Sequence, residues 1–245
     1  MKSLGDALDA LLPVQQASGK PLAVVLAGHN GSGKSTMWYE LLAGTLQIPL
    51  INADRMMMSI LPEVAKGEFL PPWAGTLRDT DENWMKVAQK GVSAFVAQAL
   101  LKGVPFAMET VFSHWKKRDD GTYESKLDLI REMQAAGYFV ILIFVGLTSD
   151  QLSIGRVQTR KAKGGHDVVI KKLTQRFPRT QKAVRAAAPM ADAAVFVDNS
   201  RSKKEAFTVC RVQIGEQQRF DMRSVGAPSE IEAWMNKACP VHAIA

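Results

Sequence analysis

The stretch VLAGHNGSGKSTMW, residues 25–38, decides the fold. Gly28 to Ser35 match G-x-x-x-x-G-K-[ST] in full, directly after the apolar run PLAVVLAG (21–28) and directly before the helical run STMWYELLAGTL (35–46). That order, strand then glycine-rich turn then helix, is the one in which the motif has a physical meaning. The glycines let successive backbone N–H groups converge on phosphate oxygens, and the next helix points its positive end at them. Gly28, Asn30, Gly31, Ser32, Gly33, Lys34, Ser35 and Thr36 are therefore candidate ligands of a nucleoside triphosphate. Lys34 is expected to reach the β- and γ-phosphates and the Ser35 hydroxyl to ligate Mg²⁺. The loop predicts a nucleotide site without choosing a reaction, because switches, transporters and kinases all carry it.

Outward from the loop, short apolar runs alternate with longer helical ones, the pattern of a parallel sheet covered by helices on both faces. Strands are expected at 22–27, 49–52, 105–108, 139–145 and 194–197. Trp84, Val87, Ala88, Gly91, Val92, Phe95 and Ala99 recur at three and four, predicting one long helix with those residues toward the core. Ser149 suits the N-cap of a helix from Asp150, ended by Gly164 and Gly165. A further helix carries Ile170, Leu173 and Phe177 inward, with Arg176 elsewhere and Pro178 kinking or ending it. Two β-type runs, 207–214 and 219–225, flank GEQQ as a hairpin, and a last helix starts at Ser229. The first 20 residues hold one short amphipathic helix, expected to pack on the sheet rather than cover the nucleotide site.

The chain has 245 residues, 47% of them apolar, enough for one main domain over 1–245 with a core at about 20–200 and an elaboration at about 201–245. The longest apolar run, YFVILIFVGL at 138–147, is about half of the roughly 20 residues that a membrane span needs. The N-terminus carries acids and lacks a cleavage pattern, so a cytoplasmic protein is expected. Cys210 and Cys239 lack metal-ligand spacing and are read as bystanders.

The net charge is +7, and between Arg156 and Arg185 ten basic residues face one acid, Asp167. That segment, at +9, contains the whole excess. A nucleic-acid grip would interleave aromatic stacking residues, and Phe177 is the only Phe, Tyr or Trp there. No N-K-x-D guanine motif and no L-S-G-G-Q transporter signature occurs.

In an open α/β sheet the reacting groups come from the carboxyl ends of the strands. The second strand exits at INADR, making Asp54 the candidate general base, with a helix N-cap as the competing reading. The third exits at METVFS, where Glu109 and Thr110 can hold substrate hydroxyls or, for Glu109, the metal's water shell. The fifth exits at VDNS, setting Asp198 and Asn199 where a loop would pass the nucleotide base, although DN is also ordinary turn chemistry. Arg156 and Arg160, on one helical face before a glycine hinge, suit stabilisation of transition-state charge. His166 is read as a loop hydrogen-bonding residue, with Asp167 or the backbone as its partner.

The ordered set AGHNGSGKST, NADR, ETVFS, GRVQTRKAKGGHDV, IKKLTQRF and VDNS resembles the zeta-toxin group of P-loop kinases over roughly residues 20–200. The resemblance implies an α/β three-layer P-loop kinase-type fold with a mainly parallel central sheet, here with a C-terminal β-hairpin and helix, related to chloramphenicol phosphotransferase. It implies ATP and Mg²⁺ as cofactors and a kinase that acts on the 3′-hydroxyl of the sugar in UDP-N-acetylglucosamine. By position it assigns Lys34 and Ser35 to ATP·Mg²⁺, Asp54 to the base, Glu109 and Thr110 to the sugar, and Arg156 and Arg160 to the phosphates. Family members often pair with a small antitoxin that blocks the nucleotide site, while others stand alone. The alternative is a P-loop kinase or ATPase acting on a nucleic-acid end or another metabolite. His29 stands where the family commonly has proline, a change expected to matter little because only the backbone is used there. The stretch 56–81 carries no nucleotide-sugar signature.

Overall fold

The computed structural model describes residues 3–65, 68–121, 123–164 and 168–241. In chain order the elements are α1 (Leu4–Ala17), β1 (Leu22–Gly28), α2 (Lys34–Met37), a π-helical turn (Trp38–Leu42), α3 (Ala43–Leu46), β2 (Leu50–Ile51), α4 (Ala53–Ser59), α5 (Pro72–Thr80), α6 (Glu82–Lys102) and β3 (Phe106–Thr110). Next come β4 (Trp115–Lys117), β5 (Tyr123–Ser125), α7 (Leu127–Ala135), β6 (Phe139–Gly146), α8 (Asp150–Ala162), α9 (Ile170–Ala187), β7 (Ala193–Asp198), β8 (Thr208–Ile214), β9 (Gln217–Asp221) and α10 (Ser229–Ala238).

Seven strands form one sheet in the order β2-β3-β1-β6-β7-β8-β9, and β4 and β5 pair separately. The first five run parallel; β8 adds antiparallel to β7, and β9 antiparallel to β8. β1 and β6 are buried along their whole length. Successive residues alternate between two cores, as the period of two requires. Val25, Ala27, Leu142, Phe144 and Phe196 face α7, α9 and α10, whereas Val24, Leu26, Ile141 and Val195 face α1 and the helical run after the loop. Ser3 and Asp6 make a reciprocal capping box at the start of α1, whose Leu4, Ala7, Leu8 and Leu11 are buried. The N-terminal helix thus packs on the sheet, as expected.

Register is what positions the site. Leu26 pairs with Glu109, Ala27 with Thr110, Gly28 with Val145 and Gly146 with Asp198, so four strand ends form one row. β3 runs on through Glu109 and Thr110, which belong to the strand rather than to its exit.

Three other expectations are corrected. In α6, Val87 and Phe95 are 60% and 58% exposed, and the inward residues are Ala88 and Val96, with Val92, Ala99 and Leu100 packed beside them. Gly91 instead faces α4: a Cβ there would lie 2.6 Å from Met56 Cε. Of the two expectations for Pro178, kinking or ending the helix, the second is overturned because α9 runs through it, and Ile170 at its exposed first turn is half open. The second hairpin strand stops at Asp221, whose carboxylate accepts from the Arg223 backbone N–H and takes both ends of the Arg223 guanidinium, turning the chain into a 3-10 helix.

The C-terminal helix is tied to the same row of strand ends. Trp234 is buried against Gly146, where a Cβ would meet its ring at 2.8 Å, and its Nε1–H donates to Asp198 Oδ1 at 3.2 Å. Truncation of Trp234 leaves a cavity and an unpaired carboxylate lone pair. Trp234→Ala is expected to cost about 3–5 kcal/mol, read as a shift of the urea unfolding midpoint; a loss below about 1 kcal/mol would show that α10 packs without supporting the core.

Candidate active site

The loop between β1 and α2 is shaped by close approaches that exclude side chains. A Cβ on Gly28 would sit 2.7 Å from the Val145 carbonyl oxygen, and Gly33, at φ 89°, would place one 2.6 Å from Asn199 Nδ2. The Asn199 amide occupies that space and donates to the Ser32 carbonyl at 2.8 Å, bracing the loop from below. From α8, the Ser153 hydroxyl donates to the Asn30 carbonyl at 2.7 Å. Two elements distant in sequence therefore hold the loop open in one shape.

Lys34 is buried, and its ammonium donates to the carbonyls of Gly28 at 3.0 Å and His29 at 2.9 Å. Glu109 Oε1 lies 3.9 Å away. Burial pushes the Lys34 ammonium below its usual pKa, the Glu109 and Asp54 carboxylates oppose this, and Arg160 adds to it. The Ser35 hydroxyl donates to Glu109, with its oxygens at 2.8 and 3.1 Å, and the Asn52 amide donates to Glu109 Oε2 at 2.6 Å. One carboxylate thus gathers the motif lysine, the motif serine and the exit of β2.

Asn52 also caps α4, accepting from the backbone N–H groups of Asp54 at 2.8 Å and Arg55 at 3.2 Å. That decides the competing reading of Asp54: it lies in the first turn of α4, exposed, and is not the cap. Thr110 accepts from the Phe112 N–H at 3.2 Å, so its hydroxyl proton can be donated elsewhere.

Among the arginines, burial lowers the Arg156 guanidinium against a nearby Asp198 carboxylate that raises it. Burial also lowers Arg176, which Asp54 raises and Arg179 lowers. The helical spacing says only that Arg176 is off the apolar face, yet the residue shares the field of Asp54. The signal is its neighbour: Phe177 stacks on His29 of the loop, and Arg176 directly precedes it on α9. Asn52 escapes the search for strand-exit acids, although Asn before a helix after a strand is a recognisable cap signal. His166 and Asp167 lie outside the described residues.

The His29 ring is not idle. It is 2% exposed, stacked on Phe177 with ring centroids 3.8 Å apart and edge-on to Phe144 at 5.6 Å. Burial first, and the Lys34 charge second, lower its pKa to about 3.

The residues present fit a nucleotide with its metal. The loop glycines leave a cradle that side chains would fill, and the buried Ser32 Oγ and Asn30 Oδ1 have no hydrogen-bond partner among the described residues. No group of three or more His, Cys, Asp or Glu able to hold a metal occurs among the described residues. Ser35 and Glu109 suit Mg²⁺, which is typically held by few protein ligands with phosphate oxygens and waters. Cys210 and Cys239 are buried free thiols, and burial raises both.

Together the sheet, the loop and the lysine–serine–carboxylate cluster define a P-loop kinase-like α/β protein. The chain belongs to the zeta toxin family, whose model matches residues 6–210. Similar solved structures include the PezAT chromosomal toxin–antitoxin system of Streptococcus pneumoniae, 13% identical with a TM-score of 0.53, covering 98% of this chain and 88% of that one. The AvrRxo1-ORF1:-ORF2 structure with ATP is 14% identical with a TM-score of 0.59, covering 99% and 72%. No curated protein matches the chain by sequence.

The His29 shift sets a pH dependence. Its folded pKa lies below the ordinary 6.5, so as pH falls the unfolded chain binds the proton first. The neutral ring's contribution is whole above about pH 6.5 and declines by about 1.4 kcal/mol per pH unit toward pH 3. Between about pH 7 and about pH 5 the wild type should lose about 2 kcal/mol more than His29→Phe in urea unfolding; parallel profiles would show that the ring titrates in the folded protein.

Proposed function

We propose that this chain, acting as one unit over residues 1–245, is an ATP-dependent kinase that transfers the γ-phosphoryl group to a hydroxyl of a small molecule, with a UDP-sugar such as UDP-N-acetylglucosamine as the first acceptor. The observation that carries this reading is the cluster in which Glu109 joins Ser35, Asn52 and Lys34, with Asp54 two residues beyond the cap. Bound ATP·Mg²⁺ would supply the phosphoryl group and neutralise its charge.

The chain's own residues supply the rest. Gly28, Asn30, Gly31, Ser32, Gly33, Lys34, Ser35 and Thr36 hold the triphosphate, and Asn199 keeps the loop in shape beside the nucleotide. Glu109 orients Ser35 and any metal water beside it. Asp54, exposed on α4, accepts the proton of the acceptor hydroxyl as that oxygen bonds to phosphorus and the bond to ADP breaks. Glu109 and Thr110 border the acceptor. Arg156 and Arg160 from α8 and Arg176 from α9 meet the charge on the moving phosphoryl group.

Two similar structures are a toxin–antitoxin system and a two-component complex, which supports an antitoxin partner here. No helix among the described residues is long and apolar enough to cross a membrane, and we place the protein in the cytoplasm.

The test is incubation with ATP, Mg²⁺ and a panel of UDP-sugars, nucleosides and short RNAs, with products weighed by mass spectrometry. A UDP-sugar should gain one phosphoryl group. Lys34→Ala and Asp54→Ala should each lower the rate on the order of 100-fold or more, and chelation of the metal should abolish it. Labelling of RNA ends alone would overturn the sugar assignment, and transfer that survives Lys34→Ala would overturn the kinase reading.

A further inference from the structure

His29 is buried to 2% exposure, and neither ring nitrogen has a hydrogen-bond partner among the described residues. An imidazole in that situation behaves as an aromatic plate. Its face lies on the Phe177 ring at 3.8 Å between centroids and 13° between planes, while the Phe144 ring meets it at 5.6 Å and 76°. The second is the edge-to-face geometry that aromatic pairs favour, and the first is a close parallel stack of the two faces. Phe144 belongs to β6 and Phe177 to α9, so the plate is wedged between the sheet and the basic helix.

The same residue is bound to the phosphate end of the site through its backbone. Its carbonyl accepts from the Lys34 ammonium at 2.9 Å. Phe177 directly succeeds Arg176, whose guanidinium shares the field of Asp54. A short path therefore runs from Lys34 to the His29 carbonyl, through the ring to Phe177, and along one peptide bond to Arg176. Nearby, Thr180 on the next turn of α9 donates to the Val111 carbonyl at 3.1 Å, fixing the helix beside the end of β3. The stack and this hydrogen bond are two points of attachment on one helix, and together with the buried Leu173, Ala183, Val184 and Ala187 they set its rotation about its axis.

We propose that His29 is a positioning residue: its uncharged ring, stacked on Phe177, holds α9 against the P-loop so that Arg176 faces the same phosphoryl group as Lys34. The proposal rests on the kinase reading for the identity of that group. It explains why the side chain at the second loop position is an aromatic ring facing inward, where backbone chemistry alone would accept proline or alanine. A ring that only filled space would contribute to stability without acting through Arg176, and the two cases separate experimentally.

The experiment is a double-mutant cycle on the full chain with His29→Ala, Arg176→Ala and the pair. It reads ATP turnover with Mg²⁺, with water or the UDP-sugar panel as acceptor, and binding of Mg²⁺ and the non-hydrolysable analogue adenylyl imidodiphosphate. Each single change should lower kcat on the order of 10-fold or more, while analogue affinity moves less than about threefold. The pair should be no worse than Arg176→Ala alone, because both changes remove one function. His29→Phe, which keeps the ring and discards its nitrogens, should retain kcat within about threefold. Losses that multiply independently, or a His29→Phe variant as slow as His29→Ala, would overturn the proposal. If His29→Ala does not fold, Phe177→Leu takes its place in the cycle.

Failure of the kinase reading is seen separately, as turnover indifferent to Lys34→Ala. The stack is then judged by hydrogen exchange over 174–180 in the presence of the analogue. Protection lost in His29→Ala and restored in His29→Phe supports it; protection unchanged in His29→Ala overturns it.

Discussion

A buried ammonium is the constraint on which the rest of the structure depends. Desolvating Lys34 costs several kcal/mol unless donors and charge are satisfied nearby. The satisfaction comes from the carbonyls of Gly28 and His29 and from the Glu109 carboxylate. For those carbonyls to point at the ammonium the loop must turn tightly, which requires glycine where the Val145 carbonyl and the Asn199 amide press against it. For the carboxylate to be there, β3 must lie beside β1 with Leu26 opposite Glu109. The order of strands, the register and the loop composition are thus consequences of one cation at a sheet end.

Glu109 then propagates that constraint sideways. Its second attachment, the Ser35 hydroxyl, fixes the start of the helical run after the loop, and its third, the Asn52 amide, fixes the exit of β2. Asn52 uses its remaining oxygen to cap α4, and the cap sets where Asp54 sits. β2 itself is only Leu50–Ile51, too short to hold its own end in place by ladder hydrogen bonds. A side-chain bond from a neighbouring strand secures it, so the candidate base depends on the same carboxylate as the candidate metal ligand.

The loop and the five parallel strands are legible in the sequence because each rests on a local rule: a motif with its flanks, and short runs apolar on both faces. The features that escape such reading depend on tertiary partners. Periodicity assigns Val87 and Phe95 to the buried stripe of α6, yet α4 and the sheet take different faces of that helix, and Ala88 and Val96 are the residues turned inward. β3 extends through Glu109 and Thr110 because β1 continues opposite them, which composition does not reveal. For Arg176, periodicity says only that it is not on the apolar face of α9. Which polar direction meets the site depends on how the helix is rotated, and that is set by the buried Leu173, Ala183, Val184 and Ala187 together with Phe177 on His29 and Thr180 on Val111. His29 invites a reading through its backbone alone because its stacking partner is distant in sequence.

The family model ends at residue 210, yet the chain beyond that point is not ornamental. β8 and β9 continue the sheet, and α10 buries Trp234 over Gly146. The indole N–H meets Asp198, a wholly buried carboxylate that also holds the Ser200 hydroxyl at 2.7 Å. A buried charge needs its hydrogen bonds completed, and the last helix completes them. Asp198 precedes Asn199, whose amide holds the Ser32 carbonyl. The final helix therefore reaches the glycine-rich loop through two residues of one strand end. The shape of the loop is a property of the segment beyond the family match as well as of the motif itself.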